Sequence, residues 1–98
     1  MALEIKWSKR ADKNFDQILE HLESDWGVTV VKAFVRKVYD FLDILSEFPE
    51  IGVMQLPEKG IRGFSLTKQI KVFYKIKTKS IILLVFFDNR QNPLKKRL

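Results

Sequence analysis

Ninety-eight residues are enough for one domain and leave no room for a second core. A hydrophobic content of 46% excludes disorder as the default reading, and the lack of cysteine excludes disulfides and thiolate chemistry. The net charge of +6 is uneven: residues 1–58 carry seven Lys/Arg against eleven Asp/Glu, and residues 59–98 carry eleven against the single Asp88. In chain order, Leu3-Glu4-Ile5-Lys6-Trp7 alternates apolar and charged residues, the pattern of a half-buried strand. Ser8 is placed to accept from the free amides of a helix that starts at Lys9. Ala11, Phe15, Ile18, Leu19, Leu22 and Trp26 then recur at helical spacing as one apolar stripe, and Asp12, Asp16, Glu20 and Glu23 fall off it. Gly27 suits the end of this helix. Thr29 is the candidate cap of a second helix, whose stripe is Val31, Phe34, Val35, Val38, Phe41, Leu42 and Leu45 and which Pro49 stops. So short a joint predicts an antiparallel helical hairpin, and neither stripe is buried without a sheet.

Residues 48–60 contain Pro49, Gly52, Pro57 and Gly60 and are predicted to form an irregular connection. Three strands are predicted after it. In 61–67, Phe64 and Leu66 alternate with Ser65 and Thr67; in 70–77, Val72, Tyr74 and Ile76 share one face, and Lys71, Phe73, Lys75 and Lys77 the other. After a turn at Thr78-Lys79, residues 81–87 are continuously apolar, which predicts a central strand covered on both sides. Asp88 to Pro93 turns away, and 94–98 is short and basic. No repeat or linker divides residues 1–98, so a single domain is expected. The order β-α-α-β-β-β predicts an α+β two-layer fold: a helical hairpin packed on a mainly antiparallel four-stranded sheet.

Several chemistries are set aside by composition. With one histidine, His21, and no cysteine, the usual zinc ligand sets are missing, and no metal or cofactor is expected. His21 lies beside Gln17 and Asp25 and reads as a solvated surface residue. There is no Gly-rich phosphate loop and no nucleophile elbow. The helix acids are spaced as a solvent face, and Trp7 and Trp26 read as packing. The first residues show no basic segment followed by an apolar run, and the longest apolar run, 81–87, is too short to span a bilayer. A soluble cytoplasmic protein is expected.

What remains is the basic last third. Forty residues with a single acid create a positive field that draws polyanions or an acidic partner. Lys71 and Lys75 flank Phe73, so cations for phosphate lie next to a ring for a base. On this reading Lys68, Lys71, Phe73, Lys75, Arg90, Lys95 and Lys96 are nucleic-acid- or target-binding. The same pattern also fits Phe73 beneath a helix with the lysines at the sheet edge. RNA cleavage through the 2′-hydroxyl needs a base, cations for the phosphorane and an acid for the leaving oxygen. Lys71, Arg90 and Arg62 are the candidate catalytic cations. The nearby acid–base groups are lysines, Asp88 and Tyr74, and Tyr74 is expected in the core on the face opposite Lys71. If the protein is an enzyme, it is a metal-independent endoribonuclease.

Three stretches stand out within the predicted β-α-α-β-β-β order. Ala11, Phe15 and Ile18 follow the first strand, and Leu45-Ser46-Glu47-Phe48-Pro49-Glu50-Ile51-Gly52 closes the second helix. Lys71-Val72-Phe73-Tyr74-Lys75-Ile76 is followed by a turn, by 81–87 and by Asp88-Asn89-Arg90-Gln91-Asn92-Pro93. Together they resemble the RelE/ParE toxin family over nearly the whole chain. The resemblance implies the toxin of a type II toxin–antitoxin system. Such a toxin is neutralised by a labile cognate antitoxin, commonly a dimeric DNA-binding protein, in a complex that often represses its own promoter. RelE-type members cleave mRNA in the ribosomal decoding site, whereas ParE-type members poison DNA gyrase. Lys71 stands where RelE-type enzymes carry a strand arginine, Arg90 near the arginine after the last strand, and Arg62 near a family lysine. The C-terminal tyrosine or histidine of the ribonuclease branch has no counterpart after Phe87, where Pro93-Leu94-Lys95-Lys96 stands instead. The long hairpin and the Phe-Pro-x-x-Gly segment are similar to the ParE branch. The resemblance therefore implies growth inhibition by a gyrase-directed or other non-cleaving route. The alternatives are a ribosome-dependent mRNA endoribonuclease and a non-toxic basic nucleic-acid-binding module.

Overall fold

Two amphipathic helices bury their stripes against one face of a twisted sheet. In chain order the elements are β1 (Glu4–Trp7), α1 (Lys9–Trp26), α2 (Val28–Glu47), β2 (Val53–Leu56), β3 (Ile61–Ser65), β4 (Ile70–Ile76) and β5 (Ser80–Asp88). A single 3-10 turn, Pro57–Lys59, joins β2 to β3. The computed structural model describes residues 2–89, so Arg90, Lys95 and Lys96 lie outside the described residues. The sheet runs β1-β5-β4-β3-β2, with β1 parallel to β5 and every other pairing antiparallel. This is the expected α+β two-layer architecture with one strand more than the four predicted. The extra strand, β2, lies inside the connection read as irregular. Its Val-Met-Gln-Leu sequence has no alternation, and three of its four residues are exposed at the sheet edge. No burial pattern marks it, so only its pairing with β3 makes it a strand.

The start of α1 is fixed by Ser8. Its Oγ accepts from the Ala11 N–H (2.9 Å) and donates to the Leu84 carbonyl (2.9 Å), tying the helix cap to β5. α2 starts two residues earlier than a cap at Thr29 would place it, at Val28, and Thr29 is helical rather than capping. Gly27 ends α1 and begins α2 by itself, at φ 91° and ψ 177°, a conformation open essentially only to glycine. Trp26, counted on the buried stripe, is 64% exposed at this hairpin tip, while Ala11, Phe15, Ile18 and Leu22 are buried.

Residues 81–87 form an internal strand, as their apolarity suggested, but helices cover only one of its faces. A bulge accounts for the lost alternation. Phe73 pairs with Val85 and Tyr74 with Leu83, so Leu84 is the extra residue. Ile81, Leu83 and Phe86 all reach the core despite their odd spacing. The bulge would leave polar groups on the side of β5 beyond the end of β1. The Ser8 hydroxyl takes the Leu84 carbonyl, and Asn14 Oδ1 accepts from the Phe86 N–H (3.3 Å). Trp7, Phe15 and Phe86 form a ring cluster with centroids 5.2–5.4 Å apart, and Phe41 stacks on Phe64 at 4.3 Å. Among the described residues no helix is long and apolar enough to cross a membrane.

Candidate functional site

Strand β4 separates structure from chemistry residue by residue. Ile70, Val72, Tyr74 and Ile76 belong to the helix-side core. Lys71, Phe73 and Lys75 alternate with them and therefore point to the face without helices. The strand register extends this into rows across three strands. Ser65, Lys71 and Phe87 form one row, Gly63, Phe73 and Val85 the next, and Ile61, Lys75 and Ile82 the third. Neighbouring strands lie about 4.8 Å apart, so the first row places a hydroxyl, an ammonium and a ring within roughly 10 Å.

A groove of about 420 Å³ lies over that first row. Its lining includes Ser65, Lys68, Gln69, Lys71, Phe87 and Asn89, with Gln55 and Leu56 of β2 along one side. The β3–β4 turn that walls it is internally braced: Thr67 Oγ1 accepts from the N–H groups of Gln69 (3.1 Å) and Ile70 (3.0 Å). The Asn89 N–H donates to the Gln69 carbonyl at 3.0 Å, tying the end of β5 to the same turn. Lys71 is held at the groove by the Phe73 ring, whose centroid lies 5.9 Å from Nζ.

The residues expected at the site fall in different places. Phe73 is on the helix-free face, yet it is only 8% exposed. It lies over Gly63, where an added Cβ would come within 3.0 Å of both the Phe73 ring and Gln55. It thus paves the floor instead of standing as a free platform. Lys68 is exposed on the β3–β4 turn and lines the groove with Lys71. Lys75 is on the same face but two rows beyond Lys71, near Gly60, and does not line the groove.

Arg62 is separated from them. It pairs with Tyr74 and follows the helix-side parity of Phe64. Its guanidinium donates to the Gly52 carbonyl (2.8 Å) and the Glu50 carbonyl (3.3 Å). Tyr74, fully buried as expected, completes the clamp: its hydroxyl donates to the Pro49 carbonyl (2.7 Å) and accepts from the Gly52 N–H (2.8 Å). Burial pushes the Tyr74 hydroxyl pKa up, with Glu50 adding to the rise, against the lowering effects of the Gly52 hydrogen bond and the Arg62 charge. The Phe-Pro-x-x-Gly segment is thus a turn lashed to the sheet. An added Cβ at Gly52 would sit 2.7 Å from the Tyr74 hydroxyl, so glycine is required by close approach. Of the three candidate catalytic cations, Lys71 is at the groove, Arg62 is on the opposite face, and Arg90 is outside the described residues.

The groove also contains residues that charge and ring counting did not single out: Ser65, Gln69, Phe87 and Asn89. Phe87 was hidden in the apolar run, and its cross-strand pairing with Lys71 appears only once the register is known.

The sequence profile described as the ParE toxin of the type II toxin–antitoxin system, parDE, matches residues 5–93. The chain belongs to this toxin family. No match was found among curated sequences. Solved structures show the same fold for this ParE-family chain. A chain of the chromosomal ParDE toxin–antitoxin system from P. aeruginosa is 20% identical, with a TM-score of 0.73 over 89% of this chain and 96% of that one. The YoeB/ParE toxin from Agrobacterium tumefaciens is 11% identical, with a TM-score of 0.61 over 88% and 98%. A chain of the E. coli DinJ-YafQ toxin-antitoxin complex is 12% identical, with a TM-score of 0.61 over 94% and 98%.

Proposed function

We propose that this ParE-family toxin arrests growth without cleaving RNA, that its helix-free basic face is the working surface, and that a cognate antitoxin neutralises it by covering that face. The observation that carries the non-cleaving reading is the placement of Tyr74. The strand tyrosine faces the helices, and its hydroxyl is committed to Pro49 and Gly52. The sheet screens it from the groove that holds Lys71, and burial raises its pKa further above the ordinary tyrosine value. Arg62 is likewise spent on two backbone carbonyls. The groove offers charge, hydroxyls and rings, which suit binding, with Lys68 and Lys71 as its titratable lining groups. DNA gyrase is the target this reading favours. The P. aeruginosa and E. coli relatives come from systems that pair toxin with antitoxin, which supports the antitoxin partner.

The test is induction of the toxin with and without its co-encoded antitoxin, followed by two assays on purified protein. The expected outcome is growth arrest relieved by the antitoxin, intact message in primer extension during cell-free translation, and inhibited gyrase supercoiling. New message ends that appear only during translation would overturn the non-cleaving mechanism and return Lys71 and Arg90 to catalytic roles on the ribosome.

A further inference from the structure

Resting on the reading of the helix-free face as the working surface, we propose that the groove between the β3–β4 turn and the end of β5 binds one nucleoside monophosphate unit. The phosphate sits at Lys71 and Lys68, the base lies against Phe87, and the amides of Gln69 and Asn89 meet the base edge. The row Ser65, Lys71, Phe87 is set by strand register, so hydroxyl, cation and ring stand side by side without any induced fit. The walls are prebuilt as well, through the Thr67 hydroxyl bonds and the Asn89–Gln69 bond between turn and strand. A volume of about 420 Å³ falls in the range of roughly 300–1,000 Å³ seen for small-molecule sites.

The chemistry of the lining selects this ligand class. A bare anion would use the lysines and the amide N–H groups and leave Phe87 and the amide oxygens idle. An aliphatic carboxylate would do the same. A nucleotide uses all three: phosphate on ammonium, π-face on ring, and donors and acceptors of the base on side-chain amides, which offer both kinds of group. Phe87 is the half-buried ring of the groove, whereas Phe73 is sunk over Gly63 and braces Lys71 from below. The base platform is therefore Phe87, and the role of Phe73 is positional.

The experiment is an amide-shift titration of the isotope-labelled full chain with the four ribonucleoside 5′-monophosphates, inorganic phosphate, short single-stranded RNA and DNA, and a glutamate-rich peptide. Nucleotides are expected to move the signals of residues 65–71 and 87–89 at concentrations where phosphate alone does little. Phe87→Ala should weaken nucleotide binding about fivefold or more and leave phosphate binding unchanged. Lys71→Ala should weaken both, and Phe87→Leu keeps the apolar bulk in case the alanine variant loses its fold. Tighter binding of oligonucleotides than of monophosphates identifies the unit as part of a strand, and the reverse identifies a free nucleotide; either result supports the site. Equal binding of phosphate and nucleotide, indifference to Phe87→Leu, or equal competition by the peptide overturns it, the last in favour of an acidic protein segment. Growth arrest without nucleotide binding sinks this inference and spares the proposed function; binding without growth arrest does the opposite.

Discussion

The two faces of β4 are built from alternate residues of one seven-residue strand, yet they do different work. The helix-side residues Val72 and Tyr74 are fully buried, and the Tyr74 hydroxyl has both of its partners within the fold. The other face contains Lys71, Phe73 and Lys75, with no helix over it among the described residues. Burial of apolar area stabilises the first face. The second is kept in shape by local devices: a ring over a glycine, a lysine over a ring and a braced turn. A fold this small gains most of its stability from one side of its sheet, which leaves the other side free to carry charge that would be costly to bury.

Breaking the core face should have the largest effect. Leu83→Ala, at a fully buried position, is expected to cost about 2–5 kcal/mol by denaturant unfolding. Toxicity should be lost with the fold. A loss under about 1 kcal/mol would mean that the helices do not pack on β5 as described. Tyr74→Phe removes two hydrogen bonds and leaves the Gly52 amide unpaired, at about 1–3 kcal/mol. It also probes pH. Since the folded pKa of Tyr74 lies above the ordinary tyrosine value of 10.0, the native state keeps its proton where the unfolded chain has lost it. Stability is therefore fully present below pH 10 and falls as pH rises toward the folded pKa. Tyr74→Phe should flatten that alkaline slope relative to Tyr39→Phe, an exposed control. Ser8→Ala removes the cap of α1 and the partner of the bulge carbonyl, with an expected cost of about 1–2 kcal/mol in thermal unfolding. Lys71→Ala sharpens the contrast from the other side. Its stability should stay within about 0.5 kcal/mol of the parent, while growth arrest is lost. Full toxicity in a folded Lys71→Ala protein would remove the groove from the mechanism.

The elements were legible to the degree that burial left a period in the sequence. Both helices, the Ser8 cap and the alternation of β4 could be read in this way, because each has one buried and one exposed face. β2 left no period, since an edge strand of four mostly exposed residues has little to bury. Residues 81–87 gave a misleading one. A continuous apolar run implies cover on both faces, but here the Leu84 bulge brings odd-spaced residues into the core, and Val85 is buried by its sheet neighbours. Trp26 fits the helical spacing of its stripe and still projects past the tip of the hairpin, because spacing does not say where the sheet ends.

The candidate site was only half legible for a related reason. Charge is visible in composition, so Lys68, Lys71 and Lys75 stand out from residue type and position alone. Partnership across strands is not visible there, and Arg62 shows the consequence: an arginine among basic residues whose guanidinium ties down a turn on the far face. The sequence by itself determined the fold class, the charge asymmetry and the side of β4 on which each residue lies, because those depend on residue type and a period of two. Only the tertiary structure decided which strands are neighbours, and with that the row of Ser65, Lys71 and Phe87 and the turn clamped by Tyr74. Cross-strand contacts depend on register, and register is set by the bulge, the turns and the packing of the whole sheet.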